Sequence, residues 1–124
     1  MYDMDFQIPI LQLRDILIVP IQMELHDNAA RKLQIEILNR IERTNAKGLV
    51  IDISAVFIVD SFLGRLLSET ARMAQIMGAK VVLTGMKKET AMTLIQLGLN
   101  FKTLKTTVNL DEAIDFIERQ EDKK

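Results

Sequence analysis

The chain has 124 residues, with 16 lysines and arginines against 17 aspartates and glutamates, a formal charge of −1, no cysteine and 48% hydrophobic residues. Charges this balanced leave no basic stripe to neutralise a run of phosphates, which argues against nucleic acid as a partner, and the apolar content excludes a disordered polar chain. The longest apolar run, Ala55 to Val59, is far short of the roughly 20 residues that cross a bilayer, and Asp3 and Asp5 stand where a signal peptide would be basic, so the expectation is a cytoplasmic protein without a membrane partner.

No linker composition and no repeat divides the sequence, so one domain is expected over residues 1–124, large enough to bury a core without disulfides or metal. Ile8 to Leu13 and Ile16 to Ile21 read as two strands joined at Arg14-Asp15, a hairpin whose first strand lies at an edge because Pro9 has no N–H for a ladder. From Asp27, Ala30, Leu33, Ile37 and Ile41 recur at steps of three and four and predict a helix closed by Gly48. Leu49 to Ile53 reads as a strand covered on both faces. After the loop of residues 54–60, Leu63, Leu66, Leu67, Thr70, Ala74 and Met77 mark the buried stripe of a second helix that Gly78 ends.

Lys80 to Thr84 is a further buried strand, and Gly85 leads into a third helix with Ala91, Leu94 and Ile95 inward and Gly98 at its end. Phe101 to Leu104 reads as a short strand, and Leu110, Ala113, Ile114 and Ile117 as the inner stripe of a fourth helix. Ile35, Ile76 and Phe116 fall outside these stripes and are candidates for an interface. The order β-β-α-β-α-β-α-β-α predicts an α/β domain with a mixed, mostly parallel sheet, an N-terminal antiparallel hairpin and about four helices.

Enzyme signatures are mostly missing. Without cysteine, and with His26 as the one histidine, the chain cannot build a Cys/His pair or a multi-histidine metal site, and it has neither a dinucleotide nor a phosphate-loop fingerprint. His26 beside Asp27 reads as a solvated residue ahead of a helix, since no nucleophile is placed to use it as a base. The expectation is a non-enzyme with no cofactor and no metal.

Asp52, Ser54 and Thr84 fall at strand ends, where open α/β sheets present groups to ligands, so a small-anion or nucleotide site there is one reading. A receiver-like phosphoacceptor at Asp52, with Thr84 and Lys105, is another, although the chain begins β-β-α where a receiver begins β-α-β. Asp60-Ser61 stands where an apolar loop becomes a helix. Free N–H groups and a partial positive charge gather at such a point, so either residue could cap the helix and a phosphate on Ser61 would meet ready donors. Phe57 is the candidate for an exposed contact beside it, and Gly64, costly inside a helix, marks close packing or the approach of a partner.

The string from Val50 to Gly64, an apolar strand, Asp52-Ile53-Ser54, a short apolar loop and Asp60-Ser61 opening a helix, resembles the hallmark of STAS domains. The likeness extends over Ile8-Pro9-Ile10-Leu11, Ile21 to Leu25, Met77 to Gly85 and Thr93 to Gly98, and is greatest to the anti-sigma-factor antagonists that serve as small scaffold proteins of stressosomes. That resemblance implies a STAS fold and a non-catalytic scaffold in a large hetero-oligomeric complex, regulating the general stress response. Its implied partners are further copies of itself, RsbR-type co-antagonists, an RsbT-type serine/threonine kinase that it sequesters, and an RsbX-type phosphatase that resets it. The implied phosphoacceptor is Ser61, with Asp60, Phe57, Phe62 and Gly64 as its support or as kinase contacts. Single-domain antagonists of this kind commonly read Asp-Ser-Ser-Gly; Phe62 and Leu63 replace the second serine and the glycine, which favours the scaffold type.

Overall fold

The computed structural model describes residues 8–22, 25–98 and 104–122, with side chains in the last helix described as far as Arg119. The expected hairpin is present: Leu11–Leu13 (β1) turns at Arg14-Asp15 and returns antiparallel as Ile16–Pro20 (β2). Arg14 takes a positive φ of 55° in the turn, and its guanidinium pairs with Glu118 on the last helix. Pro9 lies ahead of β1, which starts three residues later than the apolar pattern.

Asp27–Thr44 (α1) leads to Gly48–Asp52 (β3), Ser61–Ile76 (α2), Lys80–Thr84 (β4), Lys88–Gln96 (α3), Lys105–Thr107 (β5) and Leu110–Asp122 (α4). The sheet runs in the order β1-β2-β3-β4-β5, with β2 to β5 parallel. Each parallel crossover moves to the next strand in line, so connections of one hand stack α1, α2 and α3 on one face.

Side-chain alternation sorts the two layers. Leu17, Val19, Leu49, Ile51, Val81 and Leu83 join the larger core with α1, α2 and α3. Ile16, Ile18, Val50 and Val82 face the other way, onto Ala113 and Ile117 of α4.

Four expectations are corrected. Gly48 does not end α1. Asn45 does, in the left-handed region at φ 55°, its N–H donating to the Ile41 carbonyl. Gly48 opens β3 instead, where an added Cβ would lie 2.7 and 2.9 Å from the Ile117 side chain, so the smallest residue is needed for α4 to seat. Ile95 points outward, 69% exposed, because Thr90 and Leu94 carry the inner side of the short α3. Met77 is the exposed cap of α2 rather than part of its stripe. The last strand is Lys105–Thr107, three residues beyond the apolar cluster, and Phe101 lies outside the described residues. Ile35 and Ile76 are exposed as expected, whereas Phe116 packs half-buried against the α4-side core.

Candidate functional site

The segment between β3 and α2 is built by alternating anchors and projections. The Asp52 carboxylate accepts the Ser54 N–H at 2.9 Å, and the Val56 N–H donates to the Ile53 carbonyl at 3.0 Å, which turns the chain back over the end of the sheet. Val56 and Val59 are buried at 1% and 3% exposure, while Phe57 and Ile58 stand out at 73% and 67%. The spacing of three between the two valines turns both intervening side chains to solvent. Strand alternation allows only one of them, so Phe57 is exposed as expected and Ile58 was missed.

Asp60 is the N-cap of α2: its backbone is extended and its carboxylate accepts the Leu63 N–H at 2.8 Å, while its carbonyl accepts the Gly64 N–H at 2.9 Å. Ser61 is therefore the first helical residue and half-exposed. Among the described residues no acceptor takes the N–H groups of Ser61 and Phe62, which leaves two donors at the positive end of the helix beside the serine hydroxyl. Phe62 packs against the larger core with the Arg31 guanidinium of α1 5.6 Å from its ring centre. Gly64 is buried in the first turn. A shallow groove of about 150 Å³, lined by Leu25, Ile58, Asp60 and Leu63, runs beside the serine.

Of the other candidates, Ser54 lies in the same loop, whereas Asp52, Thr84 and Lys105 belong to strands of the sheet. Asp52 and Thr84 are register partners and, following Val50 and Val82 by two residues, face the α4 side of the sheet. Thr84 is 1% exposed; its hydroxyl donates to the Thr107 carbonyl at 3.1 Å and accepts from the Thr107 hydroxyl at 2.8 Å, so it ties β5 to β4. Lys105 rests its ammonium 4.9 Å from the ring centre of Phe116, also on the α4 side. Among the described residues no cluster of three or more His, Asp or Glu could hold a metal. Thr84 thus spends its hydroxyl on Thr107, and the Asp52 carboxylate accepts from the Ser54 N–H. His26 is the exposed N-cap residue of α1 and makes no side-chain cap bond.

Lys87 went unnoticed in the sequence. Its ammonium donates to the Ser54 carbonyl and lies 4.5 Å from the centre of the Phe57 ring. The available signal was a lysine at the start of α3, where a capping hydroxyl or carboxylate is the favoured residue.

A Ser-bearing helix N-terminus beneath two projecting apolar side chains, on a sequential five-stranded sheet, agrees with the likeness read from the string between Val50 and Gly64. Residues 7–113 match the STAS domain family. The chain belongs to the STAS-domain family. Among solved structures this STAS domain is similar to a Ser-to-Glu variant of RsbS from Moorella thermoacetica, with 37% identity, a TM-score of 0.85, and coverage of 93% of this chain and 97% of that one. It is also similar to a chain of the stressosome, described as a signal integration and transduction hub, at 40% identity and TM-score 0.83 over 91% of this chain and 98% of that one. Of curated sequences, the RsbT co-antagonist protein RsbRD of Bacillus subtilis (strain 168) is 29% identical over 107 residues, 86% of this chain and 38% of RsbRD. The chain thus spans less than half the length of that curated relative. Among the described residues no helix is long and apolar enough to cross a membrane.

Proposed function

We propose that this STAS domain is a scaffold antagonist of the stressosome that holds an RsbT-type serine/threonine kinase and lets it go when Ser61 is phosphorylated. The observation that carries the reading is Ser61 itself: half-exposed, first in α2, beside the capping carboxylate of Asp60 and next to the exposed Phe57 and Ile58. Likeness to RsbS and to a stressosome chain supports the assembly, and the name of RsbRD as an RsbT co-antagonist supports both an RsbR-type partner and the kinase. An RsbX-type phosphatase would restore the hydroxyl.

The physical logic is one of desolvation. With a neutral hydroxyl, the surface around Ser61 combines two apolar side chains with one carboxylate, and a partner can cover it. Phosphorylation adds about −1.5 to −2 charges. The helix dipole and the Ser61 and Phe62 N–H groups favour that charge, while Asp60 opposes it, so the fold itself changes little. A docked partner, by contrast, would have to strip water from a dianion or move away. The serine needs no activated hydroxyl of its own, because the kinase supplies ATP and the base.

The test is incubation with an RsbT-type kinase and ATP, with the modified residue mapped by mass spectrometry and kinase capture measured in parallel. Phosphate is expected on Ser61. Ser61→Ala retains the kinase, and Ser61→Asp binds it at least about ten-fold more weakly with an unchanged melting temperature. Equal capture by the two variants would remove the switch.

A further inference from the structure

We infer that Lys87 is a positioning residue for the docking surface: it holds Phe57 outward against the partner from a separate loop, without itself belonging to the phosphoacceptor helix. The inference rests on the docking role proposed for the Ser61 surface and adds a specificity element to it.

Three features converge on this lysine. The β4–α3 connection passes unusually close to the β3–α2 loop. At Gly85, with φ +82°, an added Cβ would lie 2.6 to 2.9 Å from the backbone and Cβ of Ser54, and the Ile53 N–H donates to the Thr84 carbonyl at 2.9 Å. That approach delivers the Lys87 ammonium to the Ser54 carbonyl and to the face of Phe57, 4.5 Å from the ring centre. One cation thus fixes both the start of the loop and the aromatic side chain that projects from it.

The third feature is a local rule that Lys87 breaks. It is the N-cap of α3, in extended backbone, with no side-chain cap bond. Serine, threonine, aspartate or asparagine would cap that helix, and a cation at a helix N-terminus is opposed by the dipole. Lysine is therefore a poor choice for α3 and a good one for Phe57. Such a conflict between local propensity and the residue present is the mark of a role outside the element. A 73% exposed phenylalanine would otherwise be free to change rotamer, and holding it in place before contact lowers the ordering cost of binding.

The partner that fits is a protein with an apolar pocket for an aromatic ring and an acceptor at its rim for the remaining protons of the ammonium. The experiment compares Lys87→Ser, Lys87→Arg, Phe57→Ala and the Lys87→Ser/Phe57→Ala double variant for binding to the RsbT-type kinase by calorimetry, alongside thermal melting of each chain. Lys87→Ser supplies a better cap, so it is expected to melt no lower than the parent chain while binding about five-fold more weakly. In the Phe57→Ala background the same change is expected to have no further effect, and Lys87→Arg, whose guanidinium also stacks on a ring, retains binding.

Equal weakening by Lys87→Ser with and without Phe57 would overturn the inference, as would a fall in melting temperature that parallels the loss of binding. Full binding by Lys87→Ser while Phe57→Ala is impaired would overturn it and leave the docking surface standing. A parent chain that fails to bind the kinase would overturn the docking reading itself and this inference with it.

Discussion

Asp60 does two jobs that substitution can separate. Its carboxylate caps α2 through the Leu63 N–H, and its charge lies next to the hydroxyl proposed to receive phosphate. Asp60→Ala is expected to cost about 1 kcal/mol in urea unfolding, whereas Asp60→Asn, which keeps an oxygen for the cap, should cost only a few tenths. Slower phosphorylation in Asp60→Asn would then report the charge alone. Asp60-Ser61 was legible from the sequence because capping is a local event: the apolar loop ends, the helical stripe begins, and a short acceptor side chain stands between them. The exposure of Ile58 and the reach of Lys87 to Phe57 were not legible, because they depend on the packing of Val56 and Val59 into the core and on the close pass of Gly85 beside Ser54.

At the scale of elements, α4 is the helix that covers the second face of the sheet, and it does so through Ala113 and Ile117 over Ile16, Ile18, Val50 and Val82. Ile117→Ala is expected to destabilise the chain by about 3 kcal/mol, the range for emptying a buried isoleucine site. Gly48→Ala should cost about 1–3 kcal/mol, because the new methyl meets the Ile117 side chain. Since both act on the same contact, the double variant should be less destabilised than the sum of the two by about 1 kcal/mol, measured as a double-mutant cycle in urea. The helices themselves were readable from their periods of three and four, including the inner stripes of α1 and α4 and, apart from Met77, of α2. Where the reading of Gly48 failed, the cause was that a glycine can mark either a positive φ or a close approach, and Asn45 had already satisfied the first.

For the molecule as a whole, strand order bears on function. Ligands in open α/β sheets bind where the strand order reverses and neighbouring connections diverge to open a crevice. Here the order runs sequentially from β1 to β5, and α1, α2 and α3 follow one another over a common face. The strand ends are closed in part by hydrogen bonds of their own, Asp52 to Ser54 and Thr84 to Thr107. Inorganic phosphate and ATP are therefore expected to leave the melting temperature unchanged in the absence of a protein partner, as followed by differential scanning fluorimetry; a dose-dependent rise with either would revive a ligand site at Asp52, Ser54 and Thr84. The loop between β3 and α2 presents Ser61 at a helix start, the exposed Phe57 and Ile58, and the Lys87 ammonium 4.5 Å from the centre of the Phe57 ring.

The sequence by itself determined the α/β class, the hairpin at Arg14-Asp15, the four helices and the Asp60-Ser61 start of α2, because periodicity, turn chemistry and capping act within a few residues. Only the tertiary structure decided that Gly48 makes room for Ile117, that Thr84 is bound to Thr107, and that Lys87 reaches Phe57. Those outcomes depend on which strands become neighbours, and adjacency in a sheet is set by the packing of the whole chain.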